Sequence, residues 1–207
     1  MAYWSMNQRL IWNFEFTPQV ASLPAEFVIK REPEEVKWEI RFFWPNDEII
    51  VLNTLDDSLL DITNYQQKSR DDYYYLLADD NYNIKRRRNE LMYKPLLKQT
   101  PQAMAFGSKV NIDNLDKSAE PQLKKIAQQV VQYGVEIYVK KVAFIYKFAT
   151  TPTVKLELAR LEAHNQTYLS ACIEGKSLFL VEHIAERLLG KQDSCEYVTF
   201  LKNILHL

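Results

Sequence analysis

Residues 36–44, VKWEIRFFW, limit the fold more than any other stretch of the chain. Trp38, Ile40, Phe42 and Trp44 alternate there with Lys37, Glu39 and Arg41, and a β-strand sends successive side chains to opposite faces. The segment therefore reads as a strand with one aromatic and one charged face. The aromatic face has to be covered by other parts of the chain. The charged face has to meet solvent, opposite charges or an anion. Pro45-Asn46 ends the run. Two other runs repeat the pattern, because Lys85 and Arg87 share a face, as do Lys155 and Glu157.

Stretch 71–98 holds six Lys and Arg among tyrosine-rich, strand-like residues. Residues 82–88 alternate, Asn89-Glu90 is a short polar break and 91–98 resumes the strand pattern, which predicts a hairpin. In a tight register, Lys94 on the returning strand joins Lys85 and Arg87 on one patch. Three cations repel one another, so the patch needs carboxylates, phosphate or solvent around it.

Around these strands, Leu10, Trp12, Phe14 and Phe16 alternate with Arg9, Ile11, Asn13 and Glu15 as in one strand. They are too apolar to dangle and are expected to pair with or cover the sheet. Segment 47–64 has no clean period and fits a short helix, or a strand plus loop. Residues 71–77 read as a strand and 100–117 as a loop. Ser118 is expected to begin a helix that carries Leu123, Ile126, Ala127, Val130 and Val131 at helical spacing and ends at Gly134. Strands follow at 135–148, 153–161 and 167–174, then an amphipathic helix at 178–189 closed by Gly190. Asp193 with Glu196 resembles a capping box for a last helix ending near Leu205. About eight strands with about three helices suggest an α+β fold with a mainly antiparallel sheet. The charged face then lines open solvent or the inside of a barrel. The barrel is the sharper reading, since eight strands leave room for one small ligand.

Composition narrows the function. A chain of 207 residues with 47% hydrophobic residues can bury a substantial core. We expect a single domain over 1–207, with an N-terminal extension at 1–35, a core at 36–190 and a C-terminal helix in 191–207. With 26 basic and 27 acidic residues the net charge is -1, so bulk charge names no partner and nucleic acid is not expected. Cys172 and Cys195 are too few for a disulfide framework and read as reduced thiols. A signal-peptide pattern and long apolar runs are both missing, so a soluble, cytoplasmic protein without a membrane partner is expected. Four glycines leave no phosphate loop or dinucleotide fingerprint. His164, His183 and His206 are too scattered to bind a metal together. No serine sits in a nucleophile elbow, and Cys172 reads as an inert buried thiol.

What remains is a cation set, Arg41, Lys85, Arg87 and Lys94, and an acid set, Glu39, Glu157 and Glu174, all on expected strands. Phosphate chemistry uses both, since cations neutralise phosphoryl oxygens while carboxylates hold a hard metal ion. The plain alternative is a solvated strand face with ordinary salt bridges. Tyr73, Tyr74 and Tyr75 fit core or rim positions.

In order and spacing these residues resemble the CYTH, or triphosphate tunnel metalloenzyme, superfamily. Asp71 and Tyr73, then Lys85-x-Arg87, then Lys94 are similar to its central hairpin. Lys37-x-Glu39-x-Arg41 falls where the family carries its ExExK signature. Downstream, VKLELARL and YLSACIEG resemble its last acidic strands, with Glu174 matching the final glutamate. The resemblance spans residues 36–190. It implies an eight-stranded antiparallel β-barrel, a tunnel flanked by helices, whose inner wall binds triphosphate with Mg²⁺ or Mn²⁺. Family members hydrolyse inorganic triphosphate, thiamine triphosphate or RNA 5'-triphosphates, or make cyclic AMP.

Carried over, Glu39 and Glu174 are metal ligands, and Arg41, Lys85, Arg87 and Lys94 are phosphate ligands. Glu157 would be a further metal or water ligand, and Lys141 or Lys147, whichever faces inward, a further phosphate contact. Three positions depart from the pattern: Lys37 replaces its first glutamate, Arg41 its lysine and Cys172 the penultimate acid of the last strand. Each lost carboxylate weakens a divalent site, and Arg for Lys trades a point charge for a planar fork. The expected function is metal-dependent hydrolysis of a triphosphate or polyphosphate by a positioned water, with Glu39, Glu157 and Glu174 as catalytic residues. The alternatives are a member that binds a nucleotide or other phosphorylated or organic anion without turnover, and an ordinary β-rich interaction protein.

Overall fold

Period-two alternation does build most of this molecule. The computed structural model describes residues 6–18, 27, 29–113, 115–116 and 118–207. In chain order the strands and helices are β1 (Gln8–Ile11), β2 (Phe14–Phe16), β3 (Lys37–Pro45), β4 (Ile50–Leu52), β5 (Gln66–Leu76), β6 (Asn83–Arg87) and β7 (Glu90–Lys94). There follow β8 (Leu96–Gln99), β9 (Met104–Phe106), β10 (Val110–Asn111), α1 (Pro121–Tyr133), β11 (Val135–Lys147), β12 (Lys155–Ala163), β13 (Gln166–Gly175), α2 (Leu178–Leu189) and α3 (Tyr197–Leu205). Among the described residues ten strands form one antiparallel sheet in the order β10-β7-β6-β5-β11-β12-β13-β3-β9-β8. A small second sheet has the order β1-β2-β4.

The large sheet curls, as twisted antiparallel sheets do, and its two faces differ. On the outside, Trp38, Ile40 and Phe42 of β3 join Leu156, Leu158, Leu169 and Ile173 in a core covered by Leu180, Val181, Ile184 and Leu188 of α2. The small sheet seals the same core with Phe14, Phe16 and Leu52, all fully buried. Ile126 and Val130 of α1 cover Ile84, Leu91 and Tyr93. The inner face is divided. At one end Tyr197, Val198, Phe200 and Leu201 of α3 pack on Tyr74, Leu76, Ile137, Val139 and Leu161, and at the other the inner face is charged.

Two hairpins are tight. Arg88-Asn89 and His164-Asn165 both have positive φ at each residue, the two-residue turn whose twist suits neighbouring strands. The β6–β7 turn therefore sits at Arg88-Asn89 rather than at Asn89-Glu90, and Glu90 pairs with Arg87.

Several expectations are corrected. The main sheet has ten strands, not the eight of a closed barrel. Pro95, which has no N–H to give a ladder, separates β7 from β8, and 107–109 separate β9 from β10. The segment at 100–117, expected to be a loop, supplies β9 and β10. Residues 9–16 are a hairpin rather than one strand, turning at Trp12, whose φ of 48° lies in the left-handed region. A tryptophan gives no turn signal, which is why the alternation ran through it. Segment 47–64 holds β4 and two 3₁₀ turns, Asp57–Leu60 and Ile62–Asn64. The first strand of the basic region starts at Gln66 rather than 71. Helix α1 begins at Pro121, where proline suits the first turn, rather than at Ser118. Glu196 caps α3 itself by accepting from the Thr199 N–H, so Asp193 is not the cap. Among the described residues, no helix is long and apolar enough to cross a membrane.

Candidate anion-binding site

The charged end of the inner face encloses a cavity of about 420 Å³. Among the described residues nineteen line it, of which ten are Lys or Arg and three are Glu. Strand register explains how they converge. Lys155 stands opposite Glu174, and Glu174 opposite Glu39; two residues along, Glu157 stands opposite Cys172, and Cys172 opposite Arg41. Residues two apart share a face, so both rows point into the cavity.

Each glutamate of the wall is held by cations. Glu157 accepts from Lys141 at 2.8 Å and Arg41 at 3.2 Å, all three side chains being nearly buried. Burial pushes its carboxyl up, but Lys141 and Arg41 outweigh that and hold it well below the carboxylate range. Glu39 accepts from Lys94 at 3.1 Å. Burial again acts upward, and Lys94 and Arg41 bring Glu39 below its ordinary value. Glu174 lies 2.6 Å from the Lys37 ammonium and 3.8 Å from that of Lys155. Beside the cavity, Asp72 accepts from Arg87 at 2.5 Å and from Lys85 at 3.0 Å. Lys85 is pushed from 10.5 down to about 7: burial acts first, Asp72 opposes it, and Arg87 and Lys141 add to it.

Four cations of the lining, Lys68, Arg70, Lys109 and Lys147, have no ion-pair partner among the described residues. Lys109 is lowered by burial, then by Arg87, Lys94 and Arg70. Unpaired positive charge on a concave wall attracts an anion with several charged oxygens.

The structure brings together most of the expected residues. Glu39, Arg41, Lys85, Lys94, Glu157 and Glu174 all line the cavity, and so do both Lys141 and Lys147. Arg87 does not line it and is held on Asp72 instead. Sequence reasoning missed Asp72, Lys68, Arg70, Lys109 and Tyr197, and put Lys155 on the charged face with Glu157 without counting it in the site. The pair Asp71 and Tyr73 faces outward, where Asp71 accepts from the Tyr138 hydroxyl at 2.8 Å and Tyr73 is exposed. The inward row of β5 is Lys68, Arg70, Asp72 and Tyr74, and its signal was the same period-two alternation carried back to Gln66.

Glu39, Cys172 and Glu174 offer ligand atoms that lie within 4.8 Å of one another. Mg²⁺ and Mn²⁺ favour about six oxygen ligands. Here two carboxylates are already paired with ammonium groups, and the third donor is a thiol that burial pushes far up, with Arg41 only partly opposing. This set does not fit a hard divalent ion.

No family model matches the sequence, and no curated protein matches it. Among solved structures, the chain is similar to a Bacillus halodurans protein whose name proposes it as an adenylate cyclase. The TM-score is 0.38 with 7% identity, over 76% of this chain and 93% of that one.

Proposed function

We propose that this protein binds a small, highly charged phosphorylated anion in the cavity of its curled sheet: inorganic triphosphate, or the triphosphate end of a larger compound. The observation that carries the reading is the concentration of ten Lys and Arg against three Glu on one wall, in a chain whose net charge is -1. Lys68, Arg70 and Lys147 stand on neighbouring strands β5 and β11, and Lys109 follows β9. Their spread suits an extended chain of phosphates better than a single one. The paired cations keep the wall in shape while it is empty of anion, and Arg41 presents a planar fork. The likeness of the hairpin and acidic strands to the triphosphate tunnel superfamily supports the same ligand class. Hydrolysis is the second reading, and it would require Glu39 and Glu174, which face each other across β3 and β13, to exchange their ammonium partners for a metal ion or a water.

Calorimetric titration with inorganic triphosphate, followed by an assay for released phosphate in the same cell, tests both readings. Saturable binding is expected, and Lys68→Ala with Arg70→Ala should weaken it by about tenfold or more, as losing charge-assisted hydrogen bonds does. Phosphate release would add turnover. Absence of saturable binding would overturn the proposal.

A further inference from the structure

We infer that lysine ammonium groups take the place of a divalent cation at the facing glutamates, so that the cavity binds its phosphorylated anion without metal. This rests on the anion-binding reading above.

Two carboxylates directly opposite on neighbouring strands repel each other unless positive charge stands beside them. Glu39 and Glu174 are such a pair. Three ammonium groups meet them. Lys37 lies 2.6 Å from Glu174, Lys155 lies 3.8 Å from it on the other neighbouring strand, and Lys94 lies 3.1 Å from Glu39. The positions themselves make the substitution: Lys37 is two residues before Glu39 on the same face of β3, and Cys172 is two before Glu174 on β13. A carboxylate at either place would add an oxygen donor to the cluster. Instead one place supplies the neutralising charge and the other a sulfur, a poor ligand for a hard ion. A divalent ion entering here would have to displace Lys37 and Lys94 and would stand close to Arg41, which faces Cys172 across the strands. The ammonium groups do more than neutralise. Lys37, Lys94 and Lys155 all line the cavity, so the charges that neutralise the glutamates also face the anion.

The test combines two titrations of the wild-type protein. Mn²⁺ is added without anion and its uptake followed by electron paramagnetic resonance, with Mg²⁺ and Zn²⁺ as competitors. Inorganic triphosphate is then titrated in EDTA and in excess Mg²⁺, with Kd referred to free triphosphate. No saturable Mn²⁺ uptake is expected, and Kd should differ by less than about fivefold, the lower end of a real coupling between ligands. Lys37→Glu combined with Cys172→Glu should gain Mn²⁺ binding, and the wild-type titrations decide the matter even if that variant does not fold. Saturable uptake of Mn²⁺ by the wild type, or triphosphate binding that tightens more than about fivefold with Mg²⁺, would overturn the inference. Triphosphate binding in neither buffer would overturn the anion reading and, with it, the claim of metal-free binding.

Discussion

Lys85 is the side chain at which the cavity's charge balance is most finely poised. Burial, with Arg87 and Lys141 nearby, pulls its ammonium down to about 7 in spite of Asp72 at 3.0 Å. The unfolded chain therefore holds the extra proton between pH about 7 and 10.5, and in that window stability from this group rises with pH. Below about 7 both states are charged, and the penalty of burying the charge is complete. An anion bound beside Lys85 reverses the balance by drawing the proton back. Calorimetry at pH 8 in buffers of different ionisation enthalpy should thus show more proton uptake per triphosphate in the wild type than in Lys85→Met. The same proton balance in both proteins would mean that the anion does not reach Lys85.

At the scale of elements, β3 was legible because it has a charged and an apolar row, β12 and β13 because they are bounded runs rich in strand-forming residues, and the expected strands at 36–44, 153–161 and 167–174 match within a few residues. Register was harder. Asp71 and Asp72 are neighbours of one type, and a shift of one residue exchanges the faces of a strand, so composition and spacing alone did not single out Asp72 as the acid that meets Lys85 and Arg87. The position of α3 was hidden for a different reason. Its apolar stripe shows which residues are buried, not what they are buried against, and helices were expected only on the outer face. In the structure Phe200 enters the inner face, stacked on Phe43 at 3.8 Å and set edge-on to Tyr168 at 5.0 Å. Phe200→Ala should destabilise the protein by about 3 kcal/mol in urea denaturation, while triphosphate affinity of the folded protein is unchanged, since neither Phe43 nor Phe200 lines the cavity. A loss of less than about 1 kcal/mol would place Phe200 outside a packed core.

The molecule as a whole is nearly neutral, yet it gathers positive charge on one inner wall, so its acids lie mostly elsewhere. Composition could not show this, because charge counts carry no position. Segregation of this kind has a thermodynamic consequence. Without anion, the unpaired Lys68, Arg70, Lys109 and Lys147 repel one another across the cavity wall, the first two half-buried and the other two exposed, and the fold bears that repulsion. Simple salt relieves it weakly by screening, while a ligand that bridges the cations relieves it at far lower concentration. At a concentration of inorganic triphosphate about a hundred times its Kd, binding adds about 2.7 kcal/mol to stability. For a chain of this length that is a rise in Tm of about 5–10 °C. Sodium chloride at the same ionic strength should give a much smaller rise, and Lys68→Ala with Arg70→Ala should raise the Tm of the anion-free protein while shrinking the triphosphate shift. Scanning calorimetry of both proteins checks all three effects. If chloride matches triphosphate, the wall is a screened surface rather than a binding site.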